Sequence, residues 1–338
     1  MLGFIDRFLT LWIFIAMAFG LFLGFIFPNI TNFWESFNYN QNNVLLMVCL
    51  VLMMYPPLAK VEYKKIFKIF YSFKALILSL FLNWIFGPIL MFILAWVFLK
   101  NDLDYMQGII IIGLARCVAM VVVWSDLARA DKEYTAALVG INTIFQILCF
   151  AFYVYLFLEF FPSLLGLSFQ NNLEIRMDEI LKNVAIYLGL PFLLGILSRV
   201  IFIGLKGKEW FEQKFLPKIS PITLITLLFT IIIMCSYRSS DIFSLPLDVF
   251  KICIPLFLYF VIMFYSSWFI SKKLGLNYEK NTAISFSASG NNFELAIAIS
   301  ITSFGINSLQ SFAAIIGPLI EVPVLILLVK WALKFKYE

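Results

Sequence analysis

The sequence predicts an all-α polytopic membrane protein of ten transmembrane helices, folded as a 5+5 inverted repeat. Three observations predict it. Of 338 residues, 62% are hydrophobic and only 13% are charged, where a soluble domain carries about a quarter. Ten apolar segments approach the ~20 residues that a spanning helix needs. The Lys and Arg residues fall mostly in alternate connections, as they do when helices cross a bilayer back and forth.

In chain order the first helix is Phe8 to Phe27. It has no small-residue cleavage site behind it and is long enough to span, so it reads as a retained helix and not as a signal peptide. The second, Asn43 to Leu58, is predicted to end at Pro56 and Pro57, because proline has no N–H to continue the ladder. Helix three, Phe73 to Leu99, carries a kink signal at Gly87 and Pro88. Helix four, Met106 to Leu127, contains Gly113 followed by two chemically active side chains. Tyr134 to Phe160 completes the first half. The second half runs Ile180 to Leu205, Ile219 to Tyr237, Val249 to Ile270, Asn281 to Phe304 and Leu309 to Trp331. Pro255 marks helix eight, Gly290 marks helix nine, and Pro318 with Pro323 mark helix ten. The whole chain, 1–338, reads as one membrane domain, with repeats 1–160 and 180–338. An odd number of helices in each half inverts the second relative to the first, a plan common among secondary transporters.

Charge sets the orientation. Arg116 lies in mid-span, and only Lys100, Arg176, Lys182, Arg238 and Lys251 fall on one side. The remaining basic residues fall on the other, with a cluster at Lys60, Lys64, Lys65, Lys68 and Lys74. That asymmetry places both termini in the cytoplasm. The net charge of +5 therefore reports topology and lipid contact, and predicts no nucleic-acid partner. There is no histidine, which excludes imidazole zinc sites, Ser-His-Asp triads and an HExxH protease. The five cysteines are scattered without CxxC spacing, so neither a disulfide framework nor a structural zinc site is expected. No GxGD pair of an intramembrane protease occurs either, so the chain is not read as an enzyme.

Two stretches stand out. GLARCVAMVVVWSDLARAD, from Gly113, places Arg116 and Cys117 in an apolar segment. SFSASGNNFELAIAI, from Ser285, places Asn291, Asn292 and Glu294 at matching depth in the second half, and Glu321 follows in helix ten. A charge at that depth costs about 2.5–3.5 kcal/mol on insertion scales, so these residues are functional candidates. The two stretches occupy the fourth helix of each half and are expected to face each other. Arg116, Glu294 and Glu321 sum to a formal −1, so one bound proton would neutralise the set. One arrangement pairs Arg116 with one glutamate and leaves the other to exchange a proton. The bland one makes Arg116 and Glu321 a fixed bridge. Cys117 reads either as packing or as a soft ligand suited to a metalloid. Asn83 and Asn142 could simply bond between helices, and Trp96 and Trp124 could be interfacial anchors.

Long motifs add a resemblance. GLARCVAMVVVWSDLARAD, MMYPPLAKVEY from Met53, NWIFGPILM from Asn83, SGNNFELAIA from Ser289 and GPLIEVPVLI from Gly317 resemble, in order, the blocks of the arsenical-resistance-type arsenite efflux permeases. These belong to the bile acid, arsenite and riboflavin transporter superfamily. The resemblance implies the fold of bile-acid and sodium/proton transporters. In it a panel of helices one, two, six and seven moves against a core of helices three to five and eight to ten, with helices four and nine broken and crossing. It implies proton-coupled export of arsenite, with antimonite a second cargo in part of the family. The Lys, Asn, Ile and Phe bias of the composition points to a bacterium, whose inner membrane the chain is expected to span, and no cofactor is expected. The resemblance carries substrate-binding roles onto Cys117, Arg116, Asn291, Asn292 and Glu294. Proton-coupling roles fall on Glu294 and Glu321, and supporting roles on Asn83, Trp96, Trp124 and Asn142. The alternative from the same superfamily is a sodium-coupled symporter of an organic anion. Oligomeric state has no signature in the sequence.

Overall fold

A computed structural model describes residues 9–27, 29–39, 42–62, 72–166, 177–237, 239 and 246–336. Phe8, Arg7, Lys64, Lys65, Lys68, Arg176 and Arg238, which entered the expectations above, lie outside the described residues. The described chain is helical apart from a two-residue hairpin, β1 (Asn38–Tyr39) with β2 (Asn42–Asn43). Among the described residues, six helices are long and apolar enough to cross a membrane. They are α4 (Phe73–Leu99), α7 (Lys132–Leu164), α8 (Met177–Lys206), α9 (Lys208–Tyr237), α10 (Pro246–Lys273) and α13 (Leu309–Lys334). Shorter helices are α1 (Leu9–Ile26), α2 (Ile30–Glu35), α3 (Val44–Lys60), α5 (Leu103–Leu114), α6 (Met120–Leu127), α11 (Tyr278–Ser289) and α12 (Phe293–Phe304). The chain is thus a polytopic membrane protein, with a wide belt of exposed Phe, Leu and Ile on its outer helices.

Proline shapes these helices in two ways. Each of four π-helical turns stands just before a proline: Leu82–Phe86 before Pro88, Leu156–Phe160 before Pro162, Ala185–Gly189 before Pro191, and Phe211–Phe215 before Pro217. The ring would clash with the carbonyl four residues back, and a locally wider turn relieves the clash. In α4 the freed carbonyl of Trp84 accepts instead from Tyr153 Oη of α7 at 2.6 Å. Pro56 and Pro57 behave differently. They were expected to end the second helix, but α3 runs through both to Lys60. They stand in its last turns, where φ near −65° is already helical and few ladder bonds are lost.

Packing divides the helices by neighbourhood. α9 lies along α1 and α3, and α3 along α8. A Gly20-x-x-x-Gly24 spacing lets α1 approach α9 closely: a Cβ on Gly20 would stand 2.7 Å from the Ile232 carbonyl oxygen. Separately, α10 packs on α11, α13 and α4, and α5 on α4 and α13. Helix ends that the charge count put on one side are in contact. Lys280 Nζ donates to Ser72 Oγ, and Tyr278 Oη to the Ala128 carbonyl. Lys208 pairs with Glu62, and Arg199 with Glu62 and Glu212. At the other end Lys251 pairs with Asp102 and Asp248.

Candidate functional site

The helical ladder stops at two places, and the two stops touch. α5 ends at Leu114, Ala115 is extended (φ −85°, ψ 110°), and α6 resumes at Met120. α11 ends at Ser289, Gly290 is extended (φ −80°, ψ 150°), and α12 resumes at Phe293. Between them Arg116 and Asn291 form an isolated antiparallel bridge. The backbone N–H of Asn292 donates to the Ala115 carbonyl at 2.9 Å, and Asn291 Nδ2 to the Ile112 carbonyl at 2.7 Å. Each interruption thereby satisfies backbone groups freed by the other, which is how non-helical backbone is tolerated at membrane depth. Side chains of the crossing take up free N–H groups in the first turn of both resumed helices, Asn292 as the N-cap of α12 and Cys117 from two residues ahead of Ala119, the N-cap of α6. Asn292 Oδ1 accepts from Leu295 N at 3.1 Å, and Cys117 Sγ accepts from Val121 N at 3.1 Å. Glu294 lies in the first turn of α12, where the helix dipole favours a carboxylate.

Five of the sequence-predicted residues meet here, and Glu321 joins them. Arg116, Cys117, Asn291 and Asn292 are buried. Cys117 lies against Gly290, where a Cβ would stand 3.0 Å from its Cβ and 3.3 Å from its sulfur. Glu321 Oε1 accepts from the Asn291 backbone N–H at 3.2 Å. Glu294 is half-buried and faces a crevice between α3, α9, α12 and α13. The expected pairing of Arg116 with a glutamate is not found. Its Nη1 donates to Tyr259 Oη at 2.8 Å, while Nε and Nη2 have no hydrogen-bond partner among the described residues. The reason is directional. The guanidinium leaves the crossing toward α4, where a Cβ on Gly87 would stand 2.8 Å from Nη1, whereas Glu321 approaches Asn291 from α13.

The supporting residues separate. Asn142 Nδ2 donates to Ser287 Oγ at 3.1 Å and its Oδ1 accepts from Trp84 Nε1 at 3.2 Å, tying α7 to α11 and α4. Asn83 is buried but turns back on its own helix, donating to the Ser79 carbonyl. Trp124 is fully buried, so the interfacial-anchor reading is corrected for it. Trp96 is 39% exposed and stands apart from the crossing.

Sequence reasoning missed Gly87, Tyr259, Gln146 and Met54. Gln146 Oε1 accepts from the Arg116 backbone N–H at 2.8 Å. It lies four residues after Asn142, so the shared helix face was a usable signal. Met54 of α3 brings its sulfur to within 3.9 Å of Asn292 Nδ2. Gly87 read only as a kink, and nothing distinguished Tyr259 from the other tyrosines.

A polytopic helical fold with two interrupted helices meeting around buried polar side chains is that of a membrane transporter. A profile of the Sodium Bile acid symporter family matches residues 47–245. The chain is 47% identical over 328 residues to the Arsenical-resistance protein Acr3 of Corynebacterium glutamicum, covering 97% of this chain and 88% of that protein. It is 32% identical over 339 residues to the Acr3 of Alkaliphilus metalliredigens, with 97% and 92% covered. It is 31% identical over 348 residues to an uncharacterized transporter of Synechocystis, with 97% and 88% covered. The chain belongs to the Sodium Bile acid symporter family, in its arsenical-resistance branch.

Proposed function

We propose that this protein exports arsenite from the cytoplasm of a bacterium across its inner membrane in exchange for protons. The observation that carries this reading is Cys117, a soft sulfur placed at the crossing against Gly290, beside two asparagines and within a charged set. The names of the two Acr3 relatives support the cargo. In this reading the ten helices form the 5+5 inverted repeat. α5 with α6 is the broken helix four, and α11 with α12 the broken helix nine. Panel helices α1, α3, α8 and α9 move against the remaining core, and both termini are cytoplasmic.

The chemistry is that of exchange without charge. Neutral As(OH)3 meets Cys117, the thiol replaces one hydroxyl, and water leaves with the thiol proton. Arg116, Asn291 and Asn292 fix the geometry around it. Reversal of the exchange on the other side releases the cargo, since one sulfur holds a soft solute loosely. Glu294 takes the proton because it faces the crevice, whereas Glu321 is engaged with the Asn291 N–H. The empty, unprotonated site carries a net negative charge, which slows its return and couples the two fluxes.

Inside-out vesicles with an imposed pH gradient test this. Wild type should accumulate radiolabelled arsenite and lose the accumulation with a protonophore. Cys117→Ala should abolish accumulation, and Glu294→Gln should leave only downhill, pH-independent flux. Cys117→Ala that still exports arsenite removes the sulfur from the mechanism. Sodium-dependent movement of an organic anion in place of arsenite would replace the cargo altogether.

A further inference from the structure

α10 and α13 pack side by side, and their last turns are joined by rings. Trp331 stands 4.7 Å from Tyr265 and 5.2 Å from Trp268, centroid to centroid, and Phe335 stands 6.1 Å from Trp268. Residue numbers rise together across these contacts, so the two helices run in the same direction and end at the same face of the membrane. Four exposed lysines surround the rings, Lys272 and Lys273 on α10 and Lys330 and Lys334 on α13. Lys272 Nζ lies 5.9 Å from the centre of the Phe335 ring. None of the four forms an ion pair among the described residues. Other basic groups at helix ends are compensated: Lys208 and Arg199 meet Glu62 and Glu212, and Lys251, at the opposite end of α10, meets Asp102 and Asp248.

Helix geometry gathers these charges on one side of the pair. A helix turns about 100° per residue. On α10 the side chains turned to α13 are Tyr265, Trp268 and Lys272, and Phe269 and Lys273 each come one residue after such a position. On α13 those turned to α10 are Trp331 and Phe335, and Lys330 and Lys334 each come one residue before. In parallel neighbours, one residue after on one helix and one residue before on the other point to the same side. Phe269 and Leu327 are exposed there, about one turn deeper in the membrane than Lys273 and Lys330. Each helix thus presents an apolar turn and then a cationic one, beside tryptophan, which favours the headgroup level of a bilayer. Lysines between helix ends attract anionic headgroups.

We propose that this end of α10 and α13 binds an anionic phospholipid, with its phosphate held by lysines of both helices and its acyl chains over Phe269 and Leu327. The uncompensated lysines call for an anion, and the exposed apolar turn beneath them calls for an anion that carries hydrocarbon. α10 also bears Tyr259, the partner of Arg116, and α13 bears Glu321. The lipid therefore braces the two helices that reach the crossing from this side, whatever the cargo.

The test is native mass spectrometry on the full chain, purified, stripped of lipid and titrated with phosphatidylglycerol or with phosphatidylcholine, whose headgroup has no net charge. One phosphatidylglycerol per chain should bind more tightly than phosphatidylcholine. Lys273→Gln with Lys330→Gln should weaken phosphatidylglycerol about 30-fold, since each lysine near a lipid headgroup is worth about fivefold. Lys214→Gln with Lys218→Gln removes the same charge from exposed positions of α9 and should leave binding unchanged. Both double variants are first checked for a monodisperse elution profile. Equal affinity for the two lipids, or equal losses in the two double variants, overturns the site. Displacement of phosphatidylglycerol by excess inorganic phosphate makes it a site for a soluble anion and overturns the lipid.

Discussion

Gly290→Ala puts the crossing under a defined steric load. The backbone there, φ −80° and ψ 150°, is one that alanine adopts freely, so the substitution carries no conformational strain. What it adds is one methyl group. That Cβ would stand 3.0 Å from Cys117 Cβ, 3.3 Å from its sulfur and 3.3 Å from the Phe286 carbonyl oxygen. Ordinary carbon contacts lie at about 3.5–4.0 Å, so Cys117 must retreat by a few tenths of an ångström. It cannot do so cheaply, because its sulfur caps Val121 and its neighbour Arg116 is bridged to Asn291. Overpacking of this kind costs about 1–3 kcal/mol. If that falls on the loaded site, apparent arsenite affinity drops roughly 5- to 150-fold. Gly204→Ala is the control, since nothing lies within 4 Å of a Cβ there and its helical position favours alanine. Initial rates of arsenite uptake across a concentration series in inside-out vesicles report the effect, normalised to protein in the membrane. A Gly290→Ala protein with wild-type half-saturation would refute the claim that Cys117 is held at the crossing by this contact.

Three further outcomes follow from single contacts. Tyr259→Phe removes the hydroxyl that accepts from Arg116; a bond to a charged donor is worth about 1.5–3 kcal/mol, so arsenite transport should fall roughly 10- to 150-fold while the protein still inserts and elutes as wild type. Asn183→Val breaks the 2.7 Å bond from α8 to Thr302 Oγ1 of α12, which in the proposed panel-and-core motion ties the two bodies; cysteine-crosslinking or single-molecule distance measurements should then show a shifted population of the two access states, and an unchanged distribution refutes the tie. Trp96→Phe should leave transport within about twofold of wild type, as expected of an exposed side chain, whereas Trp124→Phe should reduce it, because that ring fills a fully buried position.

The helices were legible because a bilayer imposes one strong rule, the uninterrupted apolar run. Phe73–Leu99 was expected with both its bounds, since apolar side chains give way to Ser72 before it and Lys100 after it. Ends set by proline were less legible: Pro56 and Pro57 suggested a stop, yet a proline pair late in a helix loses little. The buried polar residues were legible for the same reason as the helices, because Arg116 or Asn291 in an apolar run needs an explanation. What could not be read was direction. Charge arithmetic joined Arg116 to a glutamate, but the side chain's course is set by the space at Gly87 and the hydroxyl of Tyr259, and neither residue is unusual in a membrane helix.

That direction bears on how the proposed exchange would couple two fluxes. Had Arg116 been paired with Glu321, protonating either carboxylate would first have to break an ion pair, and the remaining charge would be fixed by the bridge. With Arg116 turned to Tyr259, the cation is a fixed local charge, and the two carboxylates differ instead by what they touch. Glu321 holds a backbone N–H of the crossing itself, so its replacement by Gln keeps an acceptor in place and preserves the geometry. Among the described residues Glu294 reaches only its own backbone N–H, makes no bond to the other interrupted helix, and lies at the boundary between α3 with α9 and α12 with α13, where a sliding interface would expose it first to one side and then to the other. The contact of Met54 with Asn292 crosses the same boundary through a weak sulfur acceptor at 3.9 Å, which a moving interface can break at small cost. A carboxylate that changes its surroundings as the interface moves is the one whose proton can be exchanged between compartments. In the proposed proton exchange, coupling therefore falls to Glu294 and architecture to Glu321. Glu321→Gln should retain proton-driven arsenite accumulation at a reduced rate, while Glu294→Gln should lose the drive and keep the downhill flux. The opposite result, with accumulation surviving in Glu294→Gln and lost in Glu321→Gln, would exchange the two roles.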